Sequence, residues 1–301
     1  MIGYTPASVR APIANVDVTL NNATGTVITM NKGTVFTTTK DGISYEYITN
    51  EANTITPVDG VYKLSNLSLY EGTLVTFKYT VDSTDVDQKF VIPSNNADTS
   101  TLQVSVQNSS TDTTTSSFDL ANGYNGLGST NKVYFLQEGS NGKFEVYFGD
   151  GVTGFKPADG SIVILEYIVT NADVSNGASA FSLQGTIGGF SDVAITVNSA
   201  SSGGTQRESQ ESIKFNAPLN YAAQDRAVTA TDYETIVKNI FPNAQSVSAW
   251  GGEDDETPRY GIVKIAIKPK SGSTLTETTK NNIVTQLAPF NVGSVLPSIV
   301  D

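Results

Sequence analysis

Polar and apolar residues alternate along most of the first two hundred positions. In GTLVTFKYTVD, Val75, Phe77, Tyr79 and Val81 take one side and Thr76, Lys78 and Thr80 the other. That is the period-two pattern of a strand with one buried face. TLQVSV repeats it with Leu102, Val104 and Val106. Two further runs, KFEVYF (143–148) and SIVILEYIV (161–169), flank FGDGVTGFKPADG. The Asp-Gly and Gly-Phe-Lys-Pro punctuation of that linker predicts that the two runs pair as a long-looped hairpin. The stretches NSSTDTTTSS (108–117) and SASSGGT (199–205) are small and polar, which predicts exposed linkers.

Near residue 205 the period changes. RESQESIKFNAPL mixes charge with a short amphipathic stretch, and AVTATDYETIVKNIFPN predicts a complete short helix. Thr229 is its N-cap, and Asp232 three residues later closes a capping box. Asp232 and Glu234 sit at the positive end of the helix dipole and Lys238 at the negative end. Tyr233, Ile236, Val237 and Ile240 share one face, and Pro242 stops the helix. A short strand (QSVSAW), an acidic loop and the strand GIVKIAIKPK follow. In the latter, Val263, Ile265 and Ile267 point one way and Ile262, Lys264 and Ala266 the other. A second helix is expected over 276–288, capped by Thr276 and burying Ile283, Val284 and Leu287. The tail NVGSVLPSIVD reads as the start of another strand, as expected of a chain cut from a longer protein.

These elements predict a mostly β, multi-domain protein with a C-terminal α+β module, its two helices on one face of a small sheet. The N-terminal part reads as sandwich- or barrel-like. The expected division is an N-terminal β domain (1–107), a second β region (108–205) and the α+β module (206–301).

Composition narrows the chemistry. At 301 residues the chain is long enough to bury a core. Its net charge of −12 and its lack of any Lys/Arg-rich run disfavour nucleic-acid binding through phosphates. With no cysteine and no histidine, thiol catalysis, disulfides, Ser-His-Asp triads and His-metal clusters are excluded. The N-terminus lacks the basic start and apolar core of a signal peptide, and no apolar run approaches the roughly 20 residues that cross a bilayer. Synthesis in a cytoplasm, without membrane association, is the expectation.

Three stretches invite a chemical reading. GSNGKF (139–144) lacks the glycine and hydroxyl positions of a phosphate loop. Asp150, Asp159 and Glu166 supply carboxylates for glycoside hydrolysis, but the two aspartates precede glycines in turns and Glu166 stands mid-strand. The third is SAWGGEDDETPRYG, with the only tryptophan, Trp250, followed by Glu253, Asp254, Asp255 and Glu256. Four consecutive acids do not reproduce the alternating spacing of a calcium loop. No catalytic, cofactor, metal or small-molecule site is therefore expected. Trp250 either packs on the 229–241 helix or stands exposed as an interface anchor. Arg259 can pair with the adjacent acids, and Arg226 can tie the start of the helix to an acid. With Tyr233, these residues form the candidate interface.

The run 216–272 closely resembles the baseplate wedge family of T-even-like contractile-tailed phages (gene product six), and more loosely the wider baseplate-J family. The resemblance rests on Ala217, Pro218, Ala223, Gln224, Arg226, Ala227, Val228, Thr229, Asp232, Tyr233 and Glu234. Upstream, NKGTVFTTTKDGISYEY resembles the family's Gly-Thr-x-Phe strand, and VYFGDGVTGFKPADGSIVILEYIVT its Phe-Gly-Asp-Gly loop. The resemblance implies a structural virion subunit rather than an enzyme. It implies an inner ring around the tail hub, partners among the other wedge subunits and further copies of itself, and a part in the switch that triggers sheath contraction. It also implies that this chain is a fragment, lacking a helical N-terminal portion. The alternative from composition is a Thr/Asn/Gly-rich tail-fibre or adhesin module that binds a host glycan or protein.

Overall fold

In the computed structural model, which describes residues 4–121, 126–223, 226–241, 244–255, 257–269, 275, 277–292 and 295–300, the alternating runs form two large sheets. The first has six strands in the order Ser182–Gln184, Val35–Lys40, Ile43–Ile48, Tyr62–Glu71, Ile13–Leu20 and Val193–Ser202. Alternate residues of Ile13–Leu20, namely Ala14, Val16, Val18 and Leu20, are buried with Phe36, Tyr47 and Leu69 from neighbouring strands. The small hairpin Ile28–Met30 with Asn53–Ile55 adds Ile28, Met30 and Ile55 to the same core. A sheet that encloses a core with its own inner face is barrel-like, as the alternation predicts.

The second sheet has seven strands in the order Thr73–Thr80, Ile162–Val169, Ala97–Gln107, Thr115–Leu120, Val133–Glu138, Phe144–Phe148 and Phe90–Val91. Val104, Phe118, Tyr134, Val146, Val163 and Leu165 fill its separate core. Here three expectations change. Phe144–Phe148 and Ile162–Val169 do not pair with each other: the first pairs with Val133–Glu138 and Phe90–Val91, the second with Thr73–Thr80 and Ala97–Gln107. The polar run after residue 107 is a hairpin turn inside this sheet, with Thr115 opposite Gln107 and the Asp112 carboxylate accepting from Asn108 Nδ2 at 2.8 Å. Ser199–Ser202 end a strand rather than form a linker. Local polarity marked turns and an edge strand alike.

The chain passes from the first sheet to the second at Gly72, where φ is +120° and an added Cβ would stand 2.2 Å from the Val169 carbonyl oxygen. The preceding Glu71 is 1% exposed, yet its carboxylate accepts from Thr170 Oγ1, from Asn171 N–H at 2.9 Å and from Asn171 Nδ2 at 2.7 Å. A buried carboxylate is tolerable only when so satisfied.

Ser8–Gln206 make one compact unit, and the described residues of Met1–Ala7 and Arg207–Asp301 make the other. The C-terminal unit is the α+β arrangement expected, with one helix more. That helix, α1 (Gln210–Ala223), carries Pro218 inside it, and its weak apolar face gave no clear helical period. Helix α2 (Ala230–Ile240) has the full capping box: Asp232 N–H donates to Thr229 Oγ1 at 3.2 Å, and Thr229 N–H donates to Asp232 Oδ2 at 2.8 Å. Helix α3 (Glu277–Leu287) buries Ile283 and Leu287 and half-buries Val284. The expected stop at Pro242 and cap at Thr276 fall outside the described residues. Three strands complete the unit. Ala244–Gly251 runs antiparallel to the central Ile262–Pro269, and Leu296–Val300 lies parallel to it on the other side.

Candidate interface of the C-terminal unit

Strand alternation gives the small sheet two unlike faces. Val247, Ala249, Ile265 and Ile267, with Val263 and Ile299, pack against Tyr233, Ile236 and Val237 of α2 and Ile283 and Leu287 of α3. Glu234 on α2 also accepts the Ala249 N–H at 3.0 Å. On the other face stand Ser246, Ser248 and Trp250, then Ile262, Lys264 and Ala266, then Leu296, Ser298 and Val300. Every one of these nine is partly or fully exposed, Leu296 by 66%.

Trp250 is partly buried and is absent from the core that α2 and α3 cover. Of its two expected positions, packing on the 229–241 helix is not the one adopted, because Ala249 takes the inward place. The indole stands directly opposite Lys264 in the register, and Lys264 faces Ser298 on the third strand. Lys264 Nζ meets Asp255 Oδ2 at 2.5 Å, which folds the acidic loop back toward this row. Both groups keep some water access, so the pair contributes at most about 1 kcal/mol.

The loop owes its shape to its glycines. Gly252 opens a single 3-10 turn, Gly252–Asp254, and its carbonyl accepts the Arg259 N–H at 2.8 Å. A Cβ there would sit 2.4 Å from the Arg259 carbonyl oxygen. Glu253, Asp254 and Arg259 are exposed, whereas Glu256 lies outside the described residues. Among the described residues, the loop's ion pair joins Asp255 to Lys264 and not to Arg259. Arg226 is exposed just before Ala227, whose N–H donates to the Phe290 carbonyl at 2.8 Å. Tyr233 is 1% exposed and belongs to the core behind the sheet, so its side chain supports the surface without being part of it.

The sequence put Ile262 and Ala266 on the outward side of their strand but named neither of them, nor Leu296 and Val300, among the candidate interface residues. The signal was present: apolar residues on the outward-pointing positions of GIVKIAIKPK have no buried role to explain them.

The carboxylates weighed for hydrolysis have structural work. Asp150 Oδ1 accepts from Val152 and Thr153 N–H at 2.9 and 2.7 Å, and hydrogen bonding from Thr153 leads in holding its carboxyl below the usual range. Asp159 accepts from Ser83 N–H at 2.8 Å, and Glu166 pairs with Lys32 at 2.9 Å. Among the described residues, no group of three or more acids is placed to hold a metal ion, and no helix is long and apolar enough to cross a membrane. An open sheet face that mixes an indole and aliphatic side chains with serines and a lysine, beside an acidic loop, is suited to contact a protein surface.

Residues 229–300 match the family described as "Baseplate structural protein gp6, C-terminal domain I". Over 196 residues, 58% of this chain, the sequence is 33% identical to baseplate wedge protein gp6 of Enterobacteria phage T4. The chain spans 29% of that relative's length. Similar solved structures include the anti-feeding prophage baseplate, 6-fold symmetrised, at 13% identity and TM-score 0.32, covering 99% of this chain and 58% of that one. The TssK-TssF-TssG baseplate subcomplex of the type VI secretion system aligns at 6% identity and TM-score 0.37, covering 97% of this chain and 88% of that one. Likenesses this distant carry no weight for function.

Proposed function

We propose that this chain, whose residues 229–300 match the family described as "Baseplate structural protein gp6, C-terminal domain I", is a structural subunit of a phage tail baseplate wedge. It resides in the virion tail baseplate after assembly in the host cytoplasm. There it binds other wedge subunits and further copies of itself, contributes to the inner ring around the hub, and passes on the rearrangement that triggers sheath contraction. Its role is to hold surfaces together rather than to catalyse a reaction. The observation that carries this reading is the 33% identity to a baseplate wedge protein over 196 residues. The surface best suited to a partner is the open face around Trp250, Lys264 and Leu296, rimmed by Glu253, Asp254 and Arg259. An assembly that switches does so by exchanging contacts between rigid modules, which requires surfaces more than pockets.

The test is the native mass, by light scattering, of the chain alone and co-expressed with neighbouring wedge subunits of the same phage. A stable hetero-complex is expected. A chain that keeps its solitary mass with every wedge partner overturns the proposal, and saturable binding to host glycan would favour an adhesin.

A further inference from the structure

The six-stranded sheet of the β unit ends on strands of unequal length, Ser182–Gln184 on one side and the ten-residue Val193–Ser202 on the other. Val193–Ser202 pairs with Ile13–Leu20 along one edge. Its other edge is used at a single residue: Ser201 N–H donates to the Ala178 carbonyl at 2.8 Å, and Gly177 N–H donates to the Ser201 carbonyl at 2.6 Å. From Val193 to Ala200 that edge has no backbone partner among the described residues. Sheets usually blunt such an edge with Lys, Pro, a bulge or a covering element. Two irregularities of register do fall opposite Val197–Ser202, but Val193 to Val197 faces Leu20 to Val16 in unbroken antiparallel register. The strand, VAITVNSASS, contains neither a charged residue nor a proline.

The side chains behind this edge are also short of cover. Val193, Ile195 and Val197 pack against the core of the sheet but are only partly buried, as are Leu183 of the opposite end strand and Phe190. On the adjacent Ile13–Leu20, by contrast, the core-facing Ala14, Val16, Val18 and Leu20 are at most 3% exposed. The edge therefore calls for two things together. One is backbone N–H and C=O groups at the repeat of a strand; the other is an apolar side chain at every second residue.

We propose that the edge from Val193 to Val197 receives an extended segment of another protein, apolar at alternate positions, as a further strand of this sheet. A second copy of this chain lacks such a segment to offer: its alternating runs, Ile13–Leu20 among them, are already buried in its own core. Two copies could pair edge to edge but would leave Ile195 and its neighbours uncovered. The inference needs the β unit alone and does not depend on the open face of the C-terminal unit.

The probe is a synthetic peptide of about eight residues that alternates Thr and Val, long enough at ~3.3 Å per residue to span the edge. With the full chain, saturable binding is expected, together with slowed amide hydrogen exchange within 193–197. Methylating one alternate set of the peptide's amide nitrogens should weaken binding by about 10-fold or more, the loss of one or two backbone hydrogen bonds. Methylating the other set should leave it unchanged, and the protein is unaltered throughout. Absence of saturable binding overturns the proposal. So does binding indifferent to both methylations, or binding that slows exchange in Ala244–Gly251 or Leu296–Val300 instead. A chain that dimerises alone, with exchange slowed within 193–197, overturns the choice of another protein as the occupant.

Discussion

Tyr233 carries a buried hydroxyl that has no hydrogen-bond partner among the described residues. Burial also pushes its pKa up, so the group stays neutral. An unsatisfied buried polar atom costs about 1–3 kcal/mol. Tyr233→Phe is therefore expected to leave the denaturation midpoint unchanged or raise it, whereas Tyr233→Ala should cost about 3–5 kcal/mol through the cavity it leaves. A Tyr233→Phe variant less stable than the parent would mean that the hydroxyl has a partner. Asp17 is the opposite case, a partly buried carboxylate with several partners. Lys63 Nζ at 2.7 Å leads in lowering its pKa from 3.8 to about 2, joined by Asn66 N–H and Asn198 Nδ2. Because the folded-state pKa is depressed, the contribution of Asp17 is complete above 3.8 and fades as pH falls toward 2. Acid titration of stability should be shallower in that window for Asp17→Asn, and an identical slope would remove Asp17 from the acid response.

At the scale of elements, what the sequence made legible depended on whether the deciding interaction was local. The cap of α2 was readable because Thr229 and Asp232 satisfy each other's backbone within four residues. Strands were readable where burial follows the period, as at Leu102, Val104 and Val106 and along most of Ile162–Val169; in Thr73–Thr80 the strand forms but Phe77, expected on the buried face, is exposed. Pairing was not, because Phe144–Phe148 and Ile162–Val169 find partners far along the chain, and turn residues between them do not report on those partners. Helix α1 escaped because it carries Pro218 inside it and lacks a strong apolar stripe. Trp250 was visible as a residue, but its face was fixed only when Ala249 took the inward position. The passage between sheets hinges on Gly72, where positive φ and the Val169 carbonyl together exclude a side chain. Gly72→Ala should cost at least about 2 kcal/mol from strain and overpacking. An unchanged melting temperature would show that the crossing relaxes.

At the scale of the whole molecule, the C-terminal unit carries a three-stranded sheet that its helices cover on one face only. The helices cover one side of the three-stranded sheet, while Trp250, Ile262, Ala266, Leu296 and Val300 remain on the other with water access. The most direct measurement is the dissociation constant between this chain and a neighbouring wedge subunit proposed as its partner, for the parent and for Trp250→Ala, with melting temperatures recorded for both. Expected is a weakening of about 30-fold or more, the size of a 2 kcal/mol hot spot, with the fold intact. Equal affinity for both proteins would contradict the proposal that the open sheet face is the surface through which this chain binds another wedge subunit.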